Sequence, residues 1–120
     1  MRSIGASAVA LSLLLVVGAR PGMVGQDRLL TGSYIWGDEV NEFQPCRSDS
    51  VFWVLASPQL LKRLRSAHDS LTTKPYEKVF VRVRGHRSSQ PTDGFAEETN
   101  GYFEIVEIRE IRRLRNGECT

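Results

Sequence analysis

Residues 51–71 read Val51-Phe52-Trp53-Val54-Leu55-Ala56-Ser57-Pro58-Gln59-Leu60-Leu61-Lys62-Arg63-Leu64-Arg65-Ser66-Ala67-His68-Asp69-Ser70-Leu71, and the hydrophobic period changes midway. Val51 to Leu55 is a continuous run of β-branched, aromatic and aliphatic residues, which predicts a short strand buried on both faces. Ser57 is a good N-cap, Pro58 suits the first helical position, and Leu60, Leu64, Ala67 and Leu71 recur at helical spacing. One amphipathic helix is expected, ending before Thr72-Thr73-Lys74-Pro75. Lys62, Arg63 and Arg65 then belong to a solvated helix face.

N-terminal to this switch, Leu29 to Trp36 alternates Leu30, Tyr34 and Trp36 and stops at Gly37-Asp38, a strand followed by a hairpin turn. Asn41 to Cys46 returns as a short strand that ends near Pro45, which cannot donate to a ladder. C-terminal to the helix, Val79, Val81 and Val83 alternate with Phe80, Arg82 and Arg84, and Gly85-His86 is expected to close that strand. Residues 87–100 form one long polar loop. In Gly101 to Arg115, Phe103 and Ile105 share one strand face while Val106 and Ile108 share the other. A long strand with a bulge near Val106 fits the Tyr, Phe, Ile and Val content of its start; an amphipathic helix from Glu107 onward is the alternative. Three strands, a helix and two strands is the order of an OB-fold, so the expected class is mainly β, a small five-stranded OB-like barrel with one helix between strands 3 and 4.

Ahead of this domain, Met1-Arg2-Ser3 is a basic start, Ile4 to Val17 is an apolar run, and Val17-Gly18-Ala19 has the small-x-small pattern of a signal-peptidase site. Cleavage after Ala19 is expected, with Met23-Val24-Gly25 as a second site, leaving residues 20–28 as a linker and 29–120 as the domain. The competing reading is an uncleaved anchor, but a 14-residue run is shorter than the roughly 20 needed to cross a bilayer. No cysteine lies near either site, so no lipid anchor is expected. The chain should be exported, periplasmic or extracellular, with no transmembrane segment after cleavage. Losing Arg2 lowers the basic count from 16 to 15 against 14 acidic residues, so no global charge favours nucleic acid or a membrane surface.

Cys46 and Cys119 are the only cysteines. In an oxidising compartment an even count makes one disulfide the default. It would close a loop of 73 residues, for which chain entropy estimates roughly 4 kcal/mol. A redox or metal role lacks CxxC spacing.

With strands, helix and cysteines placed, Gly32-Ser33-Tyr34-Ile35-Trp36 followed by Phe43-Gln44-Pro45-Cys46 resembles the opening hairpin of the C-terminal OB-like domain of NlpE-type envelope lipoproteins. The apolar Val51 to Leu55 strand, the helix leucines, the Val79 to Val83 strand leading into Gly85 and the late Cys119 also fit, so the resemblance spans most of residues 29–119. It implies the fold, the Cys46–Cys119 pairing and an envelope location. In that family the domain follows a lipidated N-terminal domain linked to surface sensing, envelope stress and copper handling. This chain has neither a lipobox cysteine nor a CxxC-bearing N-terminal domain, so tethering and a copper role do not carry over.

The residues suggest no catalysis. His68 and His86 are the only histidines of the mature chain, no serine sits in a GxSxG elbow, and both histidines are expected at solvated or hydrogen-bonded surface positions. Neither has a ligand partner at metal-site spacing on its own element except Asp69 and the hydroxyls nearby, so no metal or cofactor is expected. Asp38-Glu39 with Glu42, and Glu97-Glu98, read as solvating turn acids. Arg82, Arg84, Arg87, Arg112, Arg113 and Arg115 are interspersed with Glu104, Glu107 and Glu110, which predicts cross-strand ion pairs. OB-folds bind ligands on exposed aromatics and basic groups of their second and third strands and flanking loops. Tyr34, Trp36, Trp53, Arg82 and Arg84 are therefore the candidate ligand or partner surface. The expected function is a non-enzymatic, protein-interaction or stress-related accessory module of the bacterial cell envelope, its partner another envelope protein and not nucleic acid. A small-ligand or glycan-binding module is the alternative, separated by whether those aromatics face outward.

Overall fold

The computed structural model describes residues 26–119; the expected signal sequence, in either length, and most of the linker lie outside the described residues. Strands β1 (Arg28–Gly37) and β2 (Val40–Pro45) form a hairpin across Asp38-Glu39, with Glu39 in the left-handed region at φ 61°. β3 (Phe52–Leu55) pairs with β2 at only two positions, Glu42 with Trp53 and Phe43 with Phe52. Helix α1 (Pro58–Leu71) follows, then β4 (Val79–Ser88), a short 3₁₀ helix (Gly94–Glu98) and β5 (Tyr102–Arg113). All five strands belong to one sheet in the order β1-β2-β3-β5-β4, and β4 pairs back onto β1 so that the pairings form a closed circuit. Only β3 and β5 run parallel.

The helix begins where the capping chemistry places it: Ser57 Oγ accepts a hydrogen bond from the Leu60 N–H at 3.2 Å with Pro58 at the helix start. It ends at Thr72, whose backbone is extended and whose hydroxyl donates to the His68 carbonyl at 2.8 Å. Leu64 is fully buried in the core, while Leu60, Leu61 and Leu71 pack against it only in part.

The core is a stack of inward residues. Tyr34, Phe43 and Phe52 lie side by side in one cross-strand row, and Phe103 meets Phe43 and Phe52 at ring separations of 5.0 and 6.1 Å. Val79, Val81 and Val83 supply the β4 side by the expected alternation. Each such side chain contributes on the order of 1.5–3 kcal/mol of burial free energy.

Four expectations change. β3 has one core face, Phe52 and Val54; Trp53 and Leu55 are half-buried on the other. β4 does not close at Gly85-His86 but runs to Ser88, with Gly85 at a register shift. A Cβ on Gly85 would come within 2.1 Å of the Glu104 carbonyl oxygen, so glycine lets the two backbones approach within the strand and does not end it. β5 is the expected long strand with a bulge at Val106, running to Arg113 in place of the alternative helix from Glu107, and register skips leave Val106 and Arg109 unpaired, but the face expected for Ile108 changes. The skip at Val106 reverses the alternation, so Ile108 joins Phe103 and Ile105 inside while Val106 faces out. Within the loop expected at 87–100, Arg87 and Ser88 extend β4, and residues 94–98 form the 3₁₀ helix.

The Cys46–Cys119 disulfide joins the end of β2 to the segment after β5. That segment is clamped by Arg112, whose Nη1 and Nη2 donate to the two Glu118 carboxylate oxygens at 2.8 and 2.5 Å, while its Cζ lies 3.8 Å from the Phe80 ring centroid. Phe80, an outward residue by alternation, is buried beneath this cover. The Arg112 hydrogen bonds hold the Glu118 carboxyl down at about 2, the Arg115 N–H adding to them.

Candidate functional site

The five sequence-predicted surface residues do not form one surface. Tyr34 is fully buried: its hydroxyl donates to Asn41 Oδ1 at 2.5 Å, and Asn41 Nδ2 donates to the Val54 carbonyl at 3.2 Å. Because its ring completes the aromatic row of the core, Tyr34 leaves the set of exposed aromatics. Burial pushes its phenol up to about 12, opposed by the neighbouring Arg65 guanidinium. Trp36 is half-buried beneath Arg65, whose Cζ lies 4.0 Å from the indole centroid. Arg65 thus leaves the solvated helix face expected for it and stacks on an aromatic ring. Trp53 points outward from β3 and stacks on Phe95 of the 3₁₀ helix at 6.4 Å and 26°. Arg84 makes the expected cross-strand ion pair, Nε to Glu107 Oε2 at 3.1 Å. Arg82 is exposed opposite Glu110, a carboxylate already bound by Arg112. Both arginines lie on β4, and β5 separates them from Trp53.

The histidines divide. His86 is partly exposed, with Nδ1 at 2.8 Å from Asp27 Oδ1 and Nε2 at 3.6 Å from Glu104 Oε2. His68 departs from expectation: it is only 2% exposed, sealed between the Tyr34 ring edge and the Glu77 backbone. Its Nε2 lies 2.6 Å from the Glu77 carbonyl oxygen, which can only accept, so Nε2 carries the proton. The Trp36 N–H, 3.5 Å from the same nitrogen, is then not a hydrogen bond to it. Nδ1 has no hydrogen-bond partner and lies 3.8 Å from Asp69 Oδ1. Sequence reasoning missed this burial because histidine occupied a position on the stripe expected to be apolar, one residue after Ala67. Among the described residues, no group of three or more His, Cys, Asp or Glu side chains is arranged to hold a metal ion.

What the tertiary structure brings together is a groove of about 740 Å³ between the first turns of α1 and the β3–β5 pair. Its aliphatic walls are Leu55, Leu60, Leu61, Ile105 and Val106, and Trp53 stands at one side. The buried Asn41 also lines it, and Arg65 and Glu104 are its two charged members. Val106 is 40% exposed because the β5 bulge turns it outward; nearby Phe95 is 57% exposed. Arg65 is half-buried, its Nε is buried without a hydrogen-bond partner, and it forms no ion pair among the described residues. A guanidinium held partly out of water, with one N–H that lacks an acceptor, favours the arrival of an anion. Two signals in the sequence pointed here: Leu61 widens the helix stripe beside Leu60, and Arg65 follows it at i+4, on the same side of the helix.

No known protein family, curated protein or solved structure matches the chain. The described residues therefore define it by class, a mainly β domain of five strands in one sheet with a helix between β3 and β4, stapled by a disulfide.

Proposed function

We propose that this is an exported, non-enzymatic OB-like barrel of the bacterial cell envelope, similar to the C-terminal domain of NlpE-type lipoproteins. It works by binding, as a protein-interaction or stress-related accessory module. The carrying observation is the connectivity: a β1-β2-β3-β5-β4 circuit closed onto β1, a parallel β3–β5 pair and one helix between β3 and β4 support an OB-like architecture. The disulfide fits an exported location, and no described helix is long and apolar enough to cross a membrane. On this reading, cleavage after Ala19 delivers the domain outside the cytoplasm. Intact mass of the exported protein, with and without thiol alkylation, tests location and staple together: retention of residues 1–19, or two alkylated cysteines without reduction, overturns the reading. A photo-crosslinker at Val106, compared with one at Arg82, tests the binding role; an envelope adduct from Val106 alone is the expected result.

A second reading, a small-ligand module, is favoured by one observation. The groove between α1 and β3–β5 has the size and largely apolar lining of a ligand site with few polar groups. The outward aromatic platform that a glycan would need is reduced by the burial of Tyr34 and the covering of Trp36.

A further inference from the structure

The groove and its lining cation together specify a ligand chemistry, one that rests on the small-ligand reading. We propose that the groove takes a free medium-chain fatty acid, with the alkyl chain along Leu55, Leu60, Leu61 and Val106 and the carboxylate on the Arg65 guanidinium.

Three observations select this chemistry. First, the walls are aliphatic on both sides, helix and sheet, which suits a flexible chain of methylenes. Second, the α1 wall of the groove presents side chains only, Leu60, Leu61 and Arg65, because helix backbone is hydrogen-bonded within the helix, so recognition on that wall falls to side chains. Third, Arg65 is the lining cation, and its guanidinium stacks on the Trp36 ring beside the Tyr34 hydroxyl, with a buried Nε–H that lacks an acceptor. A guanidinium presents N–H groups in a fork that matches a carboxylate, and stacking on the indole fixes the plane of that fork beforehand. The one lining carboxylate, Glu104, is held beside His86 Nε2 at 3.6 Å on the β4 side.

The test uses the exported full chain and sub-micellar sodium dodecanoate, read by tryptophan fluorescence and calorimetry. Trp53 lines the groove and Trp36 lies under Arg65, so both report on it. At about fourfold per buried methylene, octanoate should bind on the order of a hundredfold more weakly than dodecanoate. Dodecyltrimethylammonium, with the same chain and the opposite charge, should bind at least about tenfold more weakly. Arg65→Gln should weaken dodecanoate by at least about tenfold while leaving methyl dodecanoate unchanged, and Arg65→Lys should restore part of the loss. If Arg65→Gln does not fold, Val106→Glu decides the matter: a carboxylate at an exposed wall position should abolish dodecanoate binding and spare the cationic probe. Equal binding of anionic, neutral and cationic probes leaves the ligand reading standing and overturns this proposal. Silence from every alkyl probe overturns both. Acetate competing as well as dodecanoate, or binding to phosphatidylglycerol vesicles with none to the free acid, also overturns it.

Discussion

Opening the Cys46–Cys119 bond by Cys46→Ala with Cys119→Ala frees a loop of 73 residues in the unfolded chain, and the loop-entropy relation puts the loss near 4 kcal/mol. A domain of this size has a net stability of roughly 5–15 kcal/mol, so the loss is a large share of the total. Neither cysteine belongs to the aromatic and aliphatic core, which should keep its packing when the bond is absent. The folded state loses only its grip on the C-terminal segment: Glu118 precedes Cys119, and its clamp on Arg112 helps cover Phe80. Urea unfolding of the oxidised protein and the double variant, followed by near-ultraviolet circular dichroism and tryptophan fluorescence, measures the effect. With a slope of about 2 kcal/mol per molar urea, the midpoint should fall by about 2 M while the native spectra stay close. A midpoint shift under about 0.5 M would refute the reasoning, for it would mean that the unfolded chain gains no freedom from opening this loop.

Asn41→Ala should cost about 2–4 kcal/mol, since it strands the Tyr34 hydroxyl and the Val54 carbonyl in the core; pairing it with Tyr34→Phe should cost less than the two single losses added, as a chemical-denaturation cycle will read. Gly85→Ala should destabilise by about 1–3 kcal/mol, because its methyl meets backbone at Glu104 and the Phe103 ring; a change under a few tenths in urea melts would contradict the close approach. The Tyr34 phenol is raised in the folded state, so its contribution is complete below the unfolded value near 10 and is lost as pH climbs toward about 12; alkaline unfolding should be delayed in Tyr34→Phe. Glu118 is depressed in the folded state, so its contribution is present above the ordinary carboxyl value and disappears as pH falls toward about 2; the protection of residues 114–119 against hydrogen exchange, corrected for the intrinsic rate at each pH, should fall over that interval, and not in Glu118→Gln.

Much of the fold was legible because it is written in local chemistry. The Ser57-Pro58 start, the change from a continuous apolar run to helical spacing, and the valine alternation of β4 each involve neighbours within a few residues, and the helix and β4 both began where they were expected. The bulge at Val106 was legible too, yet its effect on Ile108 was not, because a one-residue insertion reverses the alternation only when the partner strand holds register on both sides. Gly85 misled for a similar reason. Glycine punctuates a chain by default, and only the passing Glu104 backbone explains one inside a strand.

The candidate site divides along the same line. The sequence alone determined the residue kinds available: aromatics at 34, 36 and 53, arginines along β4, two cysteines, and a helix with more leucine than one stripe requires. Which of them share a space was decided by the tertiary structure. Tyr34 and Trp53 have the same chemistry in a list of residues, but the register of β1, β2 and β3 turns one into the core and the other out. Arg65 and His68 were assigned to the surface from their places on the helix, whereas the fold sets one over the Trp36 ring and the other against the Glu77 carbonyl. Spacing along a chain reports the direction of a side chain relative to its own element. What lies opposite depends on strand pairings that join residues as far apart as Arg28 and Gly85, and no local pattern carries that information.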